Sequence, residues 1–327
     1  MIPKLTPEEA KYNPPVLVGT PSLRSKVLIP GKDNNEVEKS VINLASTNFS
    51  GLAGNQRIVD KAIECVKGYG VGSCGPPGFY GTMDVHLTLE RSLAEFLGTE
   101  AAILYAQAFS TVSSVIPAFA KRGDIIVADR GVNFAIQKGI QISRCDVRWF
   151  EHNDMEDLER VLKQVAEEYR KKRKPLTRRF IVAEGLYELD GQVTDLPAII
   201  ELKHKYKFRL ILDETWSFGV LGDTGRGITE LFDIPVGPCV ALRYVDVLME
   251  SRQGHEIDAI IGSMAIGLCS AGGFCAGSIE IVHHQVGESL GSVSIALMLD
   301  SSLSTAHQLS SLRLFSFTST SPSCVSQ

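Results

Sequence analysis

Short apolar runs recur along the middle of the chain, and the first four are each followed by a longer stretch with helical spacing. The runs at 101–105, 125–128, 147–150, 180–183, 208–212 and 259–262 are rich in branched and aromatic residues. Such runs read as strands buried on both faces. The stretches 110–120, 134–143, 155–173 and 196–206 read as the intervening helices. The clearest is 155–173, where Leu158, Val161, Leu162 and Val165 form one apolar stripe against Glu, Arg and Lys. Two more helices are predicted upstream, over 55–68 with Ile58, Ala62, Ile63 and Val66 on one face, and over 86–96, where His86 stands at the start as a cap. A Gly-rich loop, 70–81, separates them. Strand–helix alternation of this kind predicts an α/β fold with a mostly parallel sheet covered by helices.

The pattern fails in three places. Residues 1–40 are Pro-rich and charged without periodicity and read as an extended arm, with order beginning at Val41. The run 237–255 interrupts the alternation and reads as an insertion. The last segment, 286–327, carries 13 serines among 42 residues and reads as an irregular tail. Read-through at 237–255 and a shifted frame after Gln285 would account for both segments. The core domain therefore spans 41–285. The uncharged run 259–278 approaches the ~20 residues of a membrane span. Its Gly, Ser and Ala content favours two strands joined by a turn, so no transmembrane helix is expected.

Apolar content of 44% and charged content of 22% are those of a globular domain. A net charge of −5 supplies no basic footprint for nucleic acid. Seven cysteines are scattered without metal-ligand spacing, which points to reduced thiols and no metal site. The N-terminus has no apolar region typical of a secretory signal.

One stretch carries candidate chemistry. The run 208–212 ends on Asp213 and Glu214 and breaks into a Gly-bearing turn. That puts a carboxylate at the C-terminal edge of a parallel sheet, where open α/β folds bind ligands. An Asp there could cap a turn or could serve a ligand.

Around it, several motifs follow one another in order: Asn43-Leu44-Ala45-Ser46-Thr47-Asn48, Tyr69-Gly70-Val71-Gly72-Ser73-Cys74-Gly75, Gly78-Phe79-Tyr80-Gly81-Thr82, His152-Asn153-Asp154-Met155, Glu184-Gly185-Leu186-Tyr187, Ser217-Phe218-Gly219-Val220-Leu221-Gly222 and Gly272-Gly273-Phe274. Each is weak alone. Collinear over three quarters of the chain, they resemble the α-oxoamine synthases, a pyridoxal-phosphate family that condenses amino acids with acyl-CoA thioesters. Within that family the chain is most similar to the serine palmitoyltransferase long-chain-base subunits that lack the lysine.

The resemblance implies the type I (aminotransferase-like) large domain, with the C-terminal small domain missing and the chain beginning after the family's N-terminal membrane helix. It puts Ile266 in the Schiff-base lysine position, and no lysine follows Lys207. Asp213 falls where the family pairs a carboxylate with the ring nitrogen, Trp216 where it has a histidine, and Asn133 where it stacks a histidine on the ring. Ala108 and Phe109 fall in the phosphate-contacting loop. No catalytic residue is therefore expected in this chain, and the cofactor positions read as vestigial or as interface. Cys74, Gly75, Gly78, Phe79, Tyr80, Gly81 and His86 are expected to face a partner subunit that bears the lysine and binds most of the pyridoxal phosphate. The implied activity of the pair is condensation of L-serine with palmitoyl-CoA at the endoplasmic reticulum. Two other readings stay open: a stand-alone α-oxoamine synthase, and a non-enzymatic truncated fragment.

Overall fold

The structure is a computed structural model that describes residues 14–30, 36–73, 75, 80–172, 177–236 and 256–288. Its centre is a seven-stranded sheet formed by β4 (Ala101–Tyr105), β5 (Ile125–Asp129), β6 (Asp146–Phe150), β7 (Arg179–Glu184), β8 (Arg209–Asp213), β9 (Ala259–Ser263) and β10 (Gly273–Gly277). The strand order is β4-β10-β9-β8-β7-β5-β6. β6, β5, β7, β8 and β9 run parallel, and β10 runs antiparallel between β9 and β4. The apolar runs coincide with these strands to within a residue or two, and the 259–278 stretch holds two strands, as expected. Among the described residues no helix is long and apolar enough to cross a membrane.

Alternation along the strands builds two core layers. Ile125, Val127, Ile181, Ala183, Leu210 and Leu212 face one layer. It is covered by α2 (Asp84–Leu97), α5 (Met155–Lys172) and α6 (Leu196–Tyr206), through Leu89, Leu93, Leu158, Leu162 and Ile199. Ile126, Ala128, Phe180, Val182 and Ile211 face the other, which α3 (Ala108–Phe119), α4 (Phe134–Ser143) and α9 (Ile279–Glu288) cover. Phe274 of β10 belongs to the first layer and Cys275 to the second.

The N-terminal expectation needs correction. Order begins well before Val41: β1 (Val16–Val18), β2 (Arg24–Pro30) and β3 (Glu36–Ile42) form an antiparallel sheet, with Arg24 opposite Ile42. Every residue of β3 is exposed. Its pairing rests on main-chain hydrogen bonds, so it leaves no hydrophobic period to detect. Asn48 and Ser50 then tie the segment to the connection between β9 and β10, through Cys269 Sγ donating to Asn48 Oδ1 at 3.0 Å and Ser50 Oγ donating to Gly267 O at 3.1 Å.

The apolar face of α1 (Gln56–Tyr69) is also placed differently from a core helix. Ile63 is 49% and Val59 40% exposed. With Leu52, Ile58 and Leu268 they line a groove of about 440 Å³. At the other end, α9 carries regular structure to Glu288, past the expected start of the irregular tail at 286. The stretch 237–255 and the rest of the tail lie outside the described residues.

Candidate functional site

Three adjacent parallel strands each end in an acid: β5 on Asp129, β7 on Glu184 and β8 on Asp213. All three carboxylates are buried at the sheet's C-terminal edge. Glu184 and Asp213 are direct register partners. Asn133 joins them. Its side-chain amide donates to Asp213 Oδ2 at 3.0 Å, and its main-chain N–H donates to Glu184 Oε1. The other Asp213 oxygen accepts from Thr215 N at 2.9 Å, so the turn-capping role open to this Asp is realised.

Two carboxylates so close and so dry cannot both ionise freely. Burial, and then the Asp213 charge, push Glu184 up to about 8. Burial raises Asp213 as well. Glu214 is pushed up to about 7 by burial, although its carboxylate accepts from the Ser217 hydroxyl and from Ile228 N. A carboxyl raised in the folded state holds its proton more tightly than the unfolded chain does. Stability is therefore lost as pH rises from the unfolded value of ~4.3 towards the folded one. Glu184→Gln keeps an acceptor for Asn133 and removes this proton. Its melting temperature relative to the parent is expected to climb between pH 5 and pH 8.5 by at least roughly 2–4 °C, the equivalent of about 1 kcal/mol. A difference that stays constant with pH would show that Glu184 titrates normally.

Asp129 organises the neighbouring loops. Its Oδ1 accepts from Gly131 N at 2.6 Å and meets His152 Nδ1 at 2.8 Å. Its Oδ2 accepts from Asn153 N at 2.7 Å and from the Tyr187 hydroxyl at 2.8 Å. His152 Nε2 meets Asp190 Oδ2 at 3.0 Å. Burial lowers the His152 pKa, but the bonds to Asp129 and Asp190 outweigh it and hold the imidazole above its usual value.

The sequence-predicted residues divide into two groups. Asp213, Asn133, Trp216, Ile266, Ala108 and Phe109 come to one edge of the sheet. Trp216 is half-buried in the turn after β8. Ile266 is buried in α8 (Met264–Gly267), the short helix that follows α7 (Ile228–Leu231) in the chain and lies between β9 and β10. Ala108 and Phe109 open α3, and the Phe109 ring is 6.2 Å from that of Phe134 at the start of α4. Of the loop residues, Gly75 packs on the backbone of Tyr80 and Gly81, and Tyr80 is 84% exposed. Cys74, Gly78 and Phe79 lie outside the described residues. His86 does not cap α2. That helix starts at Asp84, and His86 N bonds back to Met83 O, so the ring sits one turn too far along. Burial lowers the His86 pKa.

Sequence reasoning assigned no role to Glu184, Asp129 or His152. The available signal was the acid that closes each of three strands. Among the described residues no cluster of His, Cys, Asp and Glu is arranged to hold a metal.

A Schiff-base cofactor of the pyridoxal type needs an amine and an accessible carboxylate for its ring nitrogen. Ile266 offers no amine, and Asp213 is 2% exposed with both oxygens engaged. As a set, these residues do not fit that cofactor held by this chain alone.

Residues 39–310 match the family described as aminotransferase class I and II. The chain belongs to that family. Its fold is that of the pyridoxal-phosphate-dependent aminotransferase class, as the sequence resemblance implied. Among relatives, it is 48% identical over 247 residues to long chain base biosynthesis protein 1b of Oryza sativa subsp. japonica, covering 76% of this chain and 47% of that one. It is 42% identical over 275 residues to serine palmitoyltransferase 1 of Saccharomyces cerevisiae, covering 84% and 46%. The chain spans about half the length of the curated relatives it matches. Among solved structures, serine palmitoyltransferase of Sphingomonas wittichii superposes with a TM-score of 0.71 at 22% identity, covering 86% of this chain and 63% of that one. A serine palmitoyltransferase with its pyridoxal-phosphate internal aldimine superposes at 0.73 and 21% identity, covering 92% and 67%. At such identities these two show the shared fold of this aminotransferase-class chain.

Proposed function

We propose that this chain is a non-catalytic subunit of serine palmitoyltransferase, paired with a homologous subunit that carries the Schiff-base lysine. The pair condenses L-serine with palmitoyl-CoA to 3-ketosphinganine, releasing carbon dioxide and the CoA thiol, on the cytosolic face of the endoplasmic reticulum. Pyridoxal phosphate, which serves as the electron sink of the reaction, is held mainly by the partner. The observation that carries this reading is Ile266. It is buried on the hairpin where the family's lysine is expected, in a chain with no lysine after Lys207. The relatives named for long-chain-base biosynthesis and serine palmitoyltransferase support the choice of reaction.

The exposed Tyr80 and the loop around Gly75 and Gly81 support a partner-facing role for that side of the molecule, and so does the uncovered apolar face of α1. Loss of the lysine speaks against the stand-alone synthase.

The test is co-expression with the lysine-bearing subunit and purification through a tag on this chain. The expected result is a co-purifying pair that forms 3-ketosphinganine and loses that activity when the partner's lysine is replaced. Purified alone, this chain should give no borohydride-fixed pyridoxyl adduct. A specific adduct on the isolated chain would overturn the reading, and so would failure of the two subunits to associate.

A further inference from the structure

Charge does not keep a cationic ring away from this edge of the sheet. The Asp213 carboxylate stands at the end of β8 beside Glu184, whose proton makes it neutral, and a protonated ring nitrogen would be attracted to Asp213. One Asp213 oxygen is taken by a main-chain N–H, that of Thr215, and the other by a neutral side chain. Asn133 is 7% exposed, and its amide nitrogen lies 3.0 Å from Asp213 Oδ2.

That amide is not free to move aside. Its carbonyl oxygen accepts from Ile136 N at 3.0 Å and so caps α4. Its own main-chain N–H is committed to Glu184 Oε1. Asn133 is therefore fixed at three points, by a helix end and by two strands. Swinging the side chain off Asp213 would also uncap α4, because both functions use the same planar amide.

We propose that Asn133 is a lock on Asp213: its amide fills the place of a protonated aromatic nitrogen and closes the carboxylate to pyridinium-type ligands. The inference rests on the reading that this chain carries no Schiff-base cofactor of its own, and it adds a second, separate barrier. Ile266 removes the covalent anchor, and Asn133 removes the non-covalent one. The two barriers are separable, because a ligand without an aldehyde needs only the second to be lifted.

Pyridoxamine 5′-phosphate is such a ligand, and its fluorescence reports binding directly. Asn133→Ser is the informative variant. Serine still caps a helix well, but its hydroxyl is too short to reach Asp213. The full chain, Asn133→Ser, and Asn133→Ser combined with Asp213→Asn are titrated with pyridoxamine 5′-phosphate. Circular dichroism and melting confirm that each is folded. Asn133→Thr repeats the test if the serine variant does not fold.

Asn133→Ser is expected to bind at least about tenfold more tightly than the parent, a difference equivalent to one decade in Kd. The double variant is expected to lose that gain. The proposal fails if the parent binds as tightly as a folded Asn133→Ser or Asn133→Thr, or if the gain survives loss of the Asp213 charge. A parent that binds pyridoxamine 5′-phosphate as tightly as the folded variants would sink the lock and leave the proposed function standing. A specific adduct fixed by borohydride after incubation of the parent with pyridoxal 5′-phosphate would sink the proposed function.

Discussion

Replacing Asp129 with alanine is expected to cost on the order of 3–5 kcal/mol, the range found when one partner of a buried charged network is deleted. Asp129 is fully buried and receives hydrogen bonds from Gly131 N, Asn153 N and the Tyr187 hydroxyl as well as His152 Nδ1. Alanine leaves those donors in a dry site with nothing to accept from. Asp129→Asn should also destabilise, because its amide NH2 faces donors where a second acceptor stood. The cost depends on pH in a definite sense. His152 has its pKa raised in the folded state, so its contribution is complete below the unfolded value of ~6.5 and is lost as pH climbs through the folded one. Urea unfolding of the parent and Asp129→Asn should therefore differ more at pH 6 than at pH 9. Equal differences at both would mean that His152 is not charged by this pair. A loss below about 1 kcal/mol for alanine would mean that the network does not hold the loops.

The second large effect is expected at Gly267. A methyl group there would lie 2.4 Å from Phe218 O and 2.8 Å from Gly219 Cα, both backbone atoms that cannot rotate away. Gly219 itself has φ +76, a left-handed conformation that glycine takes without strain. The turn after β8 and the helix carrying Ile266 thus touch backbone to backbone, and Ser50 Oγ bonds both Gly219 O and Gly267 O. Gly267→Ala must separate them. A loss of about 1–3 kcal/mol is expected, as for overpacked cores, read as a lower urea midpoint with an unchanged slope. An unchanged midpoint would show that the two turns slide apart freely.

Much of this edge was legible from residue order. Ile125, Phe180 and Phe208 begin apolar runs whose length and branching suit strands alone, and Asp213 announces the end of one. Ile266 was found because the glycines of the family motif, Gly272 and Gly273, fix the spacing back to it. Glu184 and Asp129 were not assigned, although their letters are as plain as Asp213. An acid after a strand is a common surface residue. Its burial depends on which strands are neighbours, and β5 lies beside β7 while β6 lies outside both. Strand order is decided by crossovers that local periodicity does not encode. His152 escaped for the same reason, since its partners Asp129 and Asp190 come from two other segments. β3 was missed because nothing on it is buried.

The position of β10 has a consequence for how the polypeptide acquires this sheet during synthesis. Ala101 pairs with Gly277 and Tyr105 with Gly273, so β4 reaches the sheet only by way of β10. β5 to β9 can pair among themselves as they emerge, but β4, made earlier, must wait for a strand that follows more than a hundred residues later. Loops of that span close slowly and leave a strand edge open in the meantime. A nascent chain stalled before Gly277 would thus present two unpaired edges, on β4 and on β9. Ribosome-bound intermediates that have exposed β9 but not yet β10 should be the ones that chaperones capture, and release should follow emergence of those five strand residues.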